Sequence, residues 1–290
     1  MKTKKNFLVT GVGGFIGFNV AKHYAIKNNV IGIYRKQKPK LTNINLIKLD
    51  LSKQNLAEII KDRKLKIDTI IHCSSKTPVS KFKSNNIYKN NILQMQNILK
   101  LNMSIKNFIF LSTMSVYGNI NSKFVKETYK GKNINEYGRS KLVCEKLLKK
   151  HALKNHISCY IFRLPGVVGK LSHSNFISKV FNKIKNNKEL NINNPEEKFN
   201  NILHVDYLIQ NIEFALRKKN TYGIFNLGSV RPMKIKNIMK IFSTSLGYNK
   251  NIDWNKIKTK TFCINLEKSR NFGFKFKSTK ENILRYIKSN

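Results

Sequence analysis

Apolar residues in this chain come in short runs separated by longer periodic stretches. Phe7–Thr10, Val30–Tyr34, Leu46–Leu51, Thr69–Cys73, Asn107–Leu111 and Ser158–Leu164 are four to seven residues each and rich in apolar and β-prone side chains. Such runs predict strands of a covered sheet. Between them the apolar positions shift to helical spacing. Phe15–Lys27 predicts one helix. Asn86–Leu101 predicts another, with Ile87, Asn91, Met95, Ile98 and Leu99 in phase, and a further helix starts at Tyr137 and continues through Leu148. Strands that alternate with helices from the start predict an α/β fold with a doubly wound parallel sheet.

After Gly169 the character changes. Leu171–Glu197 is polar and holds one helix, at about Asn175–Ile184; Gly223–Gly228 returns to the sheet, and further helices are expected near Lys234–Leu246 and Thr279–Ile287. The expected division is therefore a dinucleotide-binding domain of residues 1–169, rejoined by 202–228, and a small C-terminal substrate lobe of 170–201 and 229–290.

The first strand runs into Gly11, Gly14 and Gly17, spaced G-x-x-G-x-x-G, and a helix follows directly. Gly11 can adopt a tight turn, Gly14 lets a pyrophosphate approach the main chain, and Gly17 lets the helix lie close to the strand. The helix N-terminus then offers free N–H groups and a positive dipole end to the phosphates. This context predicts a Rossmann-type site for NAD or NADP. The second strand ends in Tyr34-Arg35-Lys36 without an acid for the ribose hydroxyls; Arg35 and Lys36 can instead hold a 2′-phosphate, which tilts the expectation toward NADP.

Composition changes the picture little. Lys and Arg number 56 against 15 Asp and Glu, a formal charge of +41. That charge attracts polyanions. Yet the lysines are spread along the whole chain, and Lys, Asn and Ile are overused together, as an A/T-rich genome alone produces, so no nucleic-acid partner is assigned. No run of eighteen apolar residues is present, and a membrane span is not expected. No signal peptide is read at the basic N-terminus. The four cysteines, Cys73, Cys144, Cys159 and Cys263, have no zinc-site or C-x-x-C spacing; no metal is expected, and a reducing cytoplasm fits best.

Tyr137 and Lys141 form a Y-x-x-x-K pair on one helical face. A neighbouring ammonium is expected to lower the phenol pKa, so that Tyr137 can exchange a proton with an alcohol or carbonyl while hydride moves to or from a nicotinamide.

Together these segments resemble the extended short-chain dehydrogenase/reductase family of the NAD-dependent epimerase/dehydratase type. Thr10–Gly17 matches the fingerprint T-G-x-x-G-F-I-G, including Phe15 and Ile16. Asp68–Ser75 resembles D-x-V-I-H-x-A-A, with Ser74 and Ser75 in place of the alanines. Ser112–Gly118 resembles S-S/T-x-x-V-Y-G, and Ile202–Asp206, I-L-H-V-D, resembles the family's I-H-V-x-D segment. The resemblance implies Thr113, Tyr137 and Lys141 as catalytic residues. It places Asp50 and Leu51 against the adenine, Ser74 beside the cofactor, and Asn91 as a support residue. Ser115 and Asn175 are the implied substrate contacts, although Asn175 equally suits a helix N-cap. Arg163 and His204 are read as structural. Dehydratases of the family carry Asp-Glu after the catalytic threonine; Met114 and Ser115 stand there, which argues against 4,6-dehydration. Asn200 occupies the place of an arginine that epimerases often carry. The expected function is an epimerase or reductase of a nucleotide-linked sugar, acting as a homodimer. The alternatives are an NADPH-dependent carbonyl reductase of a non-nucleotide substrate and an RNA-binding relative of the same fold.

Overall fold

The computed structural model describes residues 4–78, 86–101, 103–172, 175–255 and 261–290. In chain order the elements are β1 (Asn6–Thr10), α1 (Phe15–Tyr24), β2 (Asn29–Tyr34), β3 (Asn45–Lys48), α2 (Leu56–Asp62), β4 (Thr69–His72), α3 (Ile87–Leu99), β5 (Asn107–Thr113), a 3-10 turn (Met114–Tyr117), β6 (Phe124–Val125), α4 (Glu136–Lys154), β7 (Ser158–Leu164) and β8 (Gly166–Val168). Then come α5 (Phe176–Lys185), β9 (Leu190–Asn193), β10 (Lys198–Phe199), β11 (Ile202–His204), α6 (Val205–Ala215), β12 (Tyr222–Asn226), β13 (Met233–Lys234), α7 (Ile235–Leu246), β14 (Ile252–Asn255), β15 (Cys263–Ile264), α8 (Glu267–Phe272) and α9 (Thr279–Lys288).

Seven strands form one sheet in the order β12-β7-β5-β4-β1-β2-β3. The ladders joining β3, β2, β1, β4 and β5 are parallel, with Leu8 beside Ile31 on one side and Ile70 on the other. This is the doubly wound Rossmann-type sheet that the strand–helix alternation predicts. Both faces are covered. Leu8, Ile70, Phe108 and Ile161 pack under Leu56 of α2, Met95 of α3 and Leu148 of α4. On the other face Phe7 stacks on Tyr24 of α1, ring centroids 4.4 Å apart. The strand order reverses between β1 and β4, which opens a crevice beyond their C-terminal ends.

Several elements stop earlier than the periodicity suggests. The first helix ends at Tyr24, where the chain turns back toward β2. The third strand ends at Lys48, and α2 is capped by Asn55, whose side chain accepts from Ala57 N.

The chain divides into two compact units. The first comprises 1–118, 133–163 and 212–224; the second comprises 119–132, 164–211 and 225–290. The second unit is larger than the lobe expected from the sequence. It takes in β8 and β11, because these two strands pair with each other, Ile202 opposite Gly166 and His204 opposite Val168. It also takes in 119–132, because β6 pairs with β15. Its core joins α5, α7 and α9 through Phe181, Phe242 and Tyr286. Asn200 is buried there: its amide donates to the carbonyls of Ser229 and Ile264, and its Oδ1 accepts from Ile264 N at 2.7 Å. That side chain is committed to holding three segments of the second unit together. His204, also buried, uses its backbone N–H to reach Asn282 Oδ1 at 2.6 Å, and its Nδ1 accepts from Asp206 N at 3.2 Å.

Candidate active site

A cleft of about 380 Å³ lies at the sheet's switch point in the first unit. Gly11, Gly13 and Gly14 line it, opposite Arg35, Asp50 and Leu51. Gly11 has a φ of +72°, and a Cβ there would stand 2.8 Å from the Ser74 backbone. A Cβ on Gly17 would strike the Gly11 carbonyl oxygen. The turn therefore closes only without side chains at these two positions. Helix α1 begins beyond Gly14 with no side-chain cap and no acid in its first turn, so its positive end stays open. Phe15 and Ile16 form that turn. A backbone cradle backed by an uncapped helix N-terminus fits a dinucleotide pyrophosphate.

Thr10 closes the crevice floor. Its Oγ1 accepts from the N–H groups of Cys73 and Ser74, both at 3.1 Å, and lies 2.7 Å from His72 Nδ1. With both lone pairs used, the hydroxyl proton points to Nδ1, which assigns the imidazole proton to Nε2. Burial, with the Lys141 charge second, holds the His72 pKa well below its ordinary value and keeps the ring neutral. Ser74 also lines the cleft, and its hydroxyl donates to the buried Gln94 at 2.8 Å.

The second cluster forms where α4 meets the end of β5. Thr113 caps the 3-10 turn, accepting from Ser115 N at 3.2 Å and donating to Ser115 Oγ at 3.3 Å. Gly138 lies against this turn so closely that a Cβ would strike the Ser115 carbonyl oxygen. That contact brings Tyr137 up to Thr113. The Thr113 and Ser75 hydroxyls act on the phenol, and Ser75 is itself part of the cleft wall. Lys141 is buried on the same helical face. Its Nζ donates to the Leu111 carbonyl at 2.9 Å, 4.6 Å from the Phe110 ring centroid and 5.8 Å from that of Tyr137.

The electrostatics depart from the sequence expectation. Burial pushes the Tyr137 phenol up to about 12, against the hydrogen bonds from Ser75 and Thr113. Burial also pulls the Lys141 ammonium down to about 8, against the fields of Cys144, Cys73 and Glu145. The ammonium is committed to a backbone carbonyl beside the ring, so desolvation of the phenol outweighs the lysine's pull.

Asn91 is buried and does not line the cleft. Its Oδ1 accepts from Lys76 N at 2.8 Å, and its Nδ2 donates to Lys76 O and to Ser140 Oγ. Asn175, in the second unit, accepts from Ser178 N at 2.9 Å and donates to the Val167 carbonyl at 3.0 Å; both ends of its amide are engaged in a capping box and a strand contact. Arg163 forms a buried ion pair with Glu145 at 2.7 Å and donates to Tyr117 OH at 3.0 Å. Glu145 also accepts from Ser112 Oγ at 2.6 Å. Sequence reading missed Lys76, Gln94, Ser140 and Glu145. Glu145 alone left a signal, a carboxylate one turn after Lys141 on the buried side of α4. Among the described residues no group of three metal-ligating side chains occurs, and no helix is long and apolar enough to cross a membrane.

The glycine turn, switch-point cleft and Thr–Tyr–Lys cluster agree with the sequence comparison: the chain belongs to the NAD dependent epimerase/dehydratase family, whose model matches residues 7–228. It is 27% identical over 254 residues to dTDP-D-glucose 4,6-dehydratase of Dictyostelium discoideum, covering 78% of this chain and 58% of that protein's length. It is 26% identical over 241 residues to ADP-L-glycero-D-manno-heptose-6-epimerase of Brachyspira hyodysenteriae, covering 77% of this chain and 75% of that one. Among solved structures, the UDP-N-acetylglucosamine 4-epimerase of Methanobrevibacter ruminantium, in complex with UDP-N-acetylmuramic acid, superposes with a TM-score of 0.83 at 22% identity, over 99% of this chain and 98% of that one. At that identity the likeness concerns the fold.

Proposed function

We propose that this protein epimerises or reduces a nucleotide-linked sugar by hydride exchange, with Tyr137, Thr113 and Lys141 as its proton-handling group. The observation that carries this reading is the Tyr137 ring, with the Lys141 ammonium 5.8 Å from its centroid on the same helix face, held against the turn that Thr113 caps by the close approach of Gly138 to Ser115. NAD(P), when bound, supplies the hydride donor and acceptor. Gly11, Gly14, Phe15, Ile16 and Gly17 hold its pyrophosphate, while Arg35, Asp50 and Leu51 form the adenosine end of the cleft. Tyr137 takes the proton of a substrate hydroxyl in the oxidative direction and returns one to a carbonyl in the reductive direction. Thr113 orients the reacting oxygen through a second hydrogen bond, and Lys141 fixes the start of α4 from below. Ser115 lies beside Thr113 and contacts the sugar, whereas the Asn175 amide is spent on capping α5 and on the Val167 carbonyl.

Met114 and Ser115 provide no acid to protonate a leaving hydroxyl, which favours epimerisation or reduction over dehydration, although several relatives are described as dehydratases. Reduction of a non-nucleotide carbonyl is the second reading, supported by the cationic adenosine end of the cleft. The test is incubation with a panel of UDP-, dTDP- and ADP-linked sugars and either cofactor, followed by NMR of the products. A sugar epimer or a reduced sugar is expected. Tyr137→Phe should lower kcat by about 10²–10⁴-fold while leaving nucleotide binding intact. A 4-keto-6-deoxy product, or undiminished turnover by the phenylalanine variant, rules the assignment out.

A further inference from the structure

We propose that Phe110 is a positioning residue for the Tyr137–Lys141 pair, its ring being the face against which the buried Lys141 ammonium is held in its charged form. The proposal rests on the proton-handling role given to that pair above and adds the group that keeps one member of it in place. Strand register builds this platform. Thr10 of β1 lies opposite His72 of β4, and His72 lies opposite Phe110 of β5. Residues in register across parallel strands point to one face of the sheet. The three side chains therefore form a row. Thr10 Oγ1 is 2.7 Å from His72 Nδ1, and the imidazole stacks on the Phe110 ring, centroids 5.6 Å apart and planes 14° apart. All three residues are buried, so the ring is fixed from the side of β1.

Lys141 meets this row from α4. Its Nζ stands 4.6 Å from the Phe110 centroid while donating to the Leu111 carbonyl at 2.9 Å. A cation within about 6 Å of a ring face is attracted by the ring quadrupole, most strongly where water is excluded. Lys141 is only 3% exposed. The titratable groups around it do little to offset its charge. On α4, burial keeps the Tyr137 phenol and the Cys144 thiol protonated, and beyond β4 it does the same for Cys73. Glu145, one turn further along α4, spends its oxygens on Arg163 and Ser112. His72 is held neutral and adds no charge to the row. A single carbonyl replaces little of the water that a buried ion gives up. The ring supplies attraction without a counter-ion. A carboxylate in its place would also hold the lysine, but would cancel the field that a phenolate needs when Tyr137 gives up its proton. An aromatic face holds the cation and leaves its charge available to the phenol.

The test is a double-mutant cycle on the full chain, with Phe110→Leu and Lys141→Met made singly and together and unfolded by denaturant at about pH 6 and about pH 9.5. The Lys141 pKa of about 8 makes the folded-state lysine charged at the first pH and neutral at the second. At the lower pH, Phe110→Leu should reduce the folding equilibrium constant about tenfold more in the parent than in the Lys141→Met background. At the higher pH that excess should vanish. The difference between the two pH values is the readout, because methionine sulfur also favours a ring at either pH. Phe110→Tyr keeps the ring and should keep the pH-dependent coupling, whatever its own packing cost. With any substrate of the panel above that turns over, Phe110→Leu should move the basic limb of the reductive pH–rate profile down by about one unit and leave KM unchanged, while Phe110→Tyr should not move it. Coupling that is equal at both pH values, or that is lost in Phe110→Tyr, overturns the platform. Because the cycle uses neither cofactor nor substrate, that outcome leaves the proposed reaction standing. A pH-dependent coupling in a chain that turns over nothing in the panel supports the platform and overturns the reaction alone.

Discussion

The glycine turn after β1 and the first turns of α4 serve one cleft, and they are built by opposite means. The turn works by leaving side chains out: at Gly11 and Gly17 a single added carbon meets backbone. The start of α4 works by burying charge: Lys141 under Leu111, and Glu145 between Arg163 and Ser112. The first solution is steric and local in sequence. The second is electrostatic, and its partners lie 18 to 33 residues away. A steric site tolerates no enlargement; a buried ion pair such as Arg163–Glu145 tolerates no loss of one partner.

Breaking the charged side should give the largest effect on stability. Arg163→Met leaves Glu145 buried without its guanidinium and should cost about 3–5 kcal/mol in chemical denaturation. Pairing that change with Glu145→Leu should restore most of the loss, because the desolvated charge is gone. If the single and double variants unfold alike, the ion pair does not anchor α4.

Lys141 gives an effect of the opposite sign. Its pKa is about 8 in the folded chain and 10.5 ordinarily. Between those values the unfolded chain binds the proton and the folded chain does not, so folding loses stability as pH falls from 10.5 to 8, and the loss stays constant below 8. Lys141→Met should therefore abolish turnover yet stabilise the cofactor-free protein by up to roughly 3 kcal/mol at pH 7, the gain vanishing toward pH 10.5. A methionine variant less stable than the parent at pH 7 contradicts this.

The steric side is tested by Gly17→Ala. The added methyl must displace the Gly11 carbonyl, which should cost about 1–3 kcal/mol and abolish dinucleotide binding in a calorimetric titration with NAD or NADP. Full retention of binding would show that the turn has slack. The smallest effect is expected at Ser75→Ala. Removing the Ser75 hydroxyl, which draws the phenol pKa down, should move the acidic limb of the oxidative pH–rate profile upward by up to about one unit, with the substrate KM unchanged. An unshifted limb assigns Ser75 to packing alone.

The same contrast explains what was legible in the sequence. The sheet, the glycine turn and the Tyr137–Lys141 spacing follow from near-neighbour patterns, and the fold shows each of them. Asn91 stood out as a support residue, but its partners, Lys76 and Ser140, lie 15 and 49 residues away, and no local pattern announces such bonds. Asn200 looked like a missing clamp residue; only the fold shows it bonding Ser229 and Ile264. The phenol pKa was misjudged because spacing reveals a neighbouring charge but not the water removed from around it.

Thr10 carries a last consequence. One hydroxyl ties three consecutive residues at the end of β4 to the end of β1, and its hydrogen-bonding capacity is fully used. The two strands cannot part at their tips, so the base on which a nucleotide lands is already in place before arrival. Little ordering of this base is left for the moment of association, and affinity there is governed by shape and charge in the resting protein.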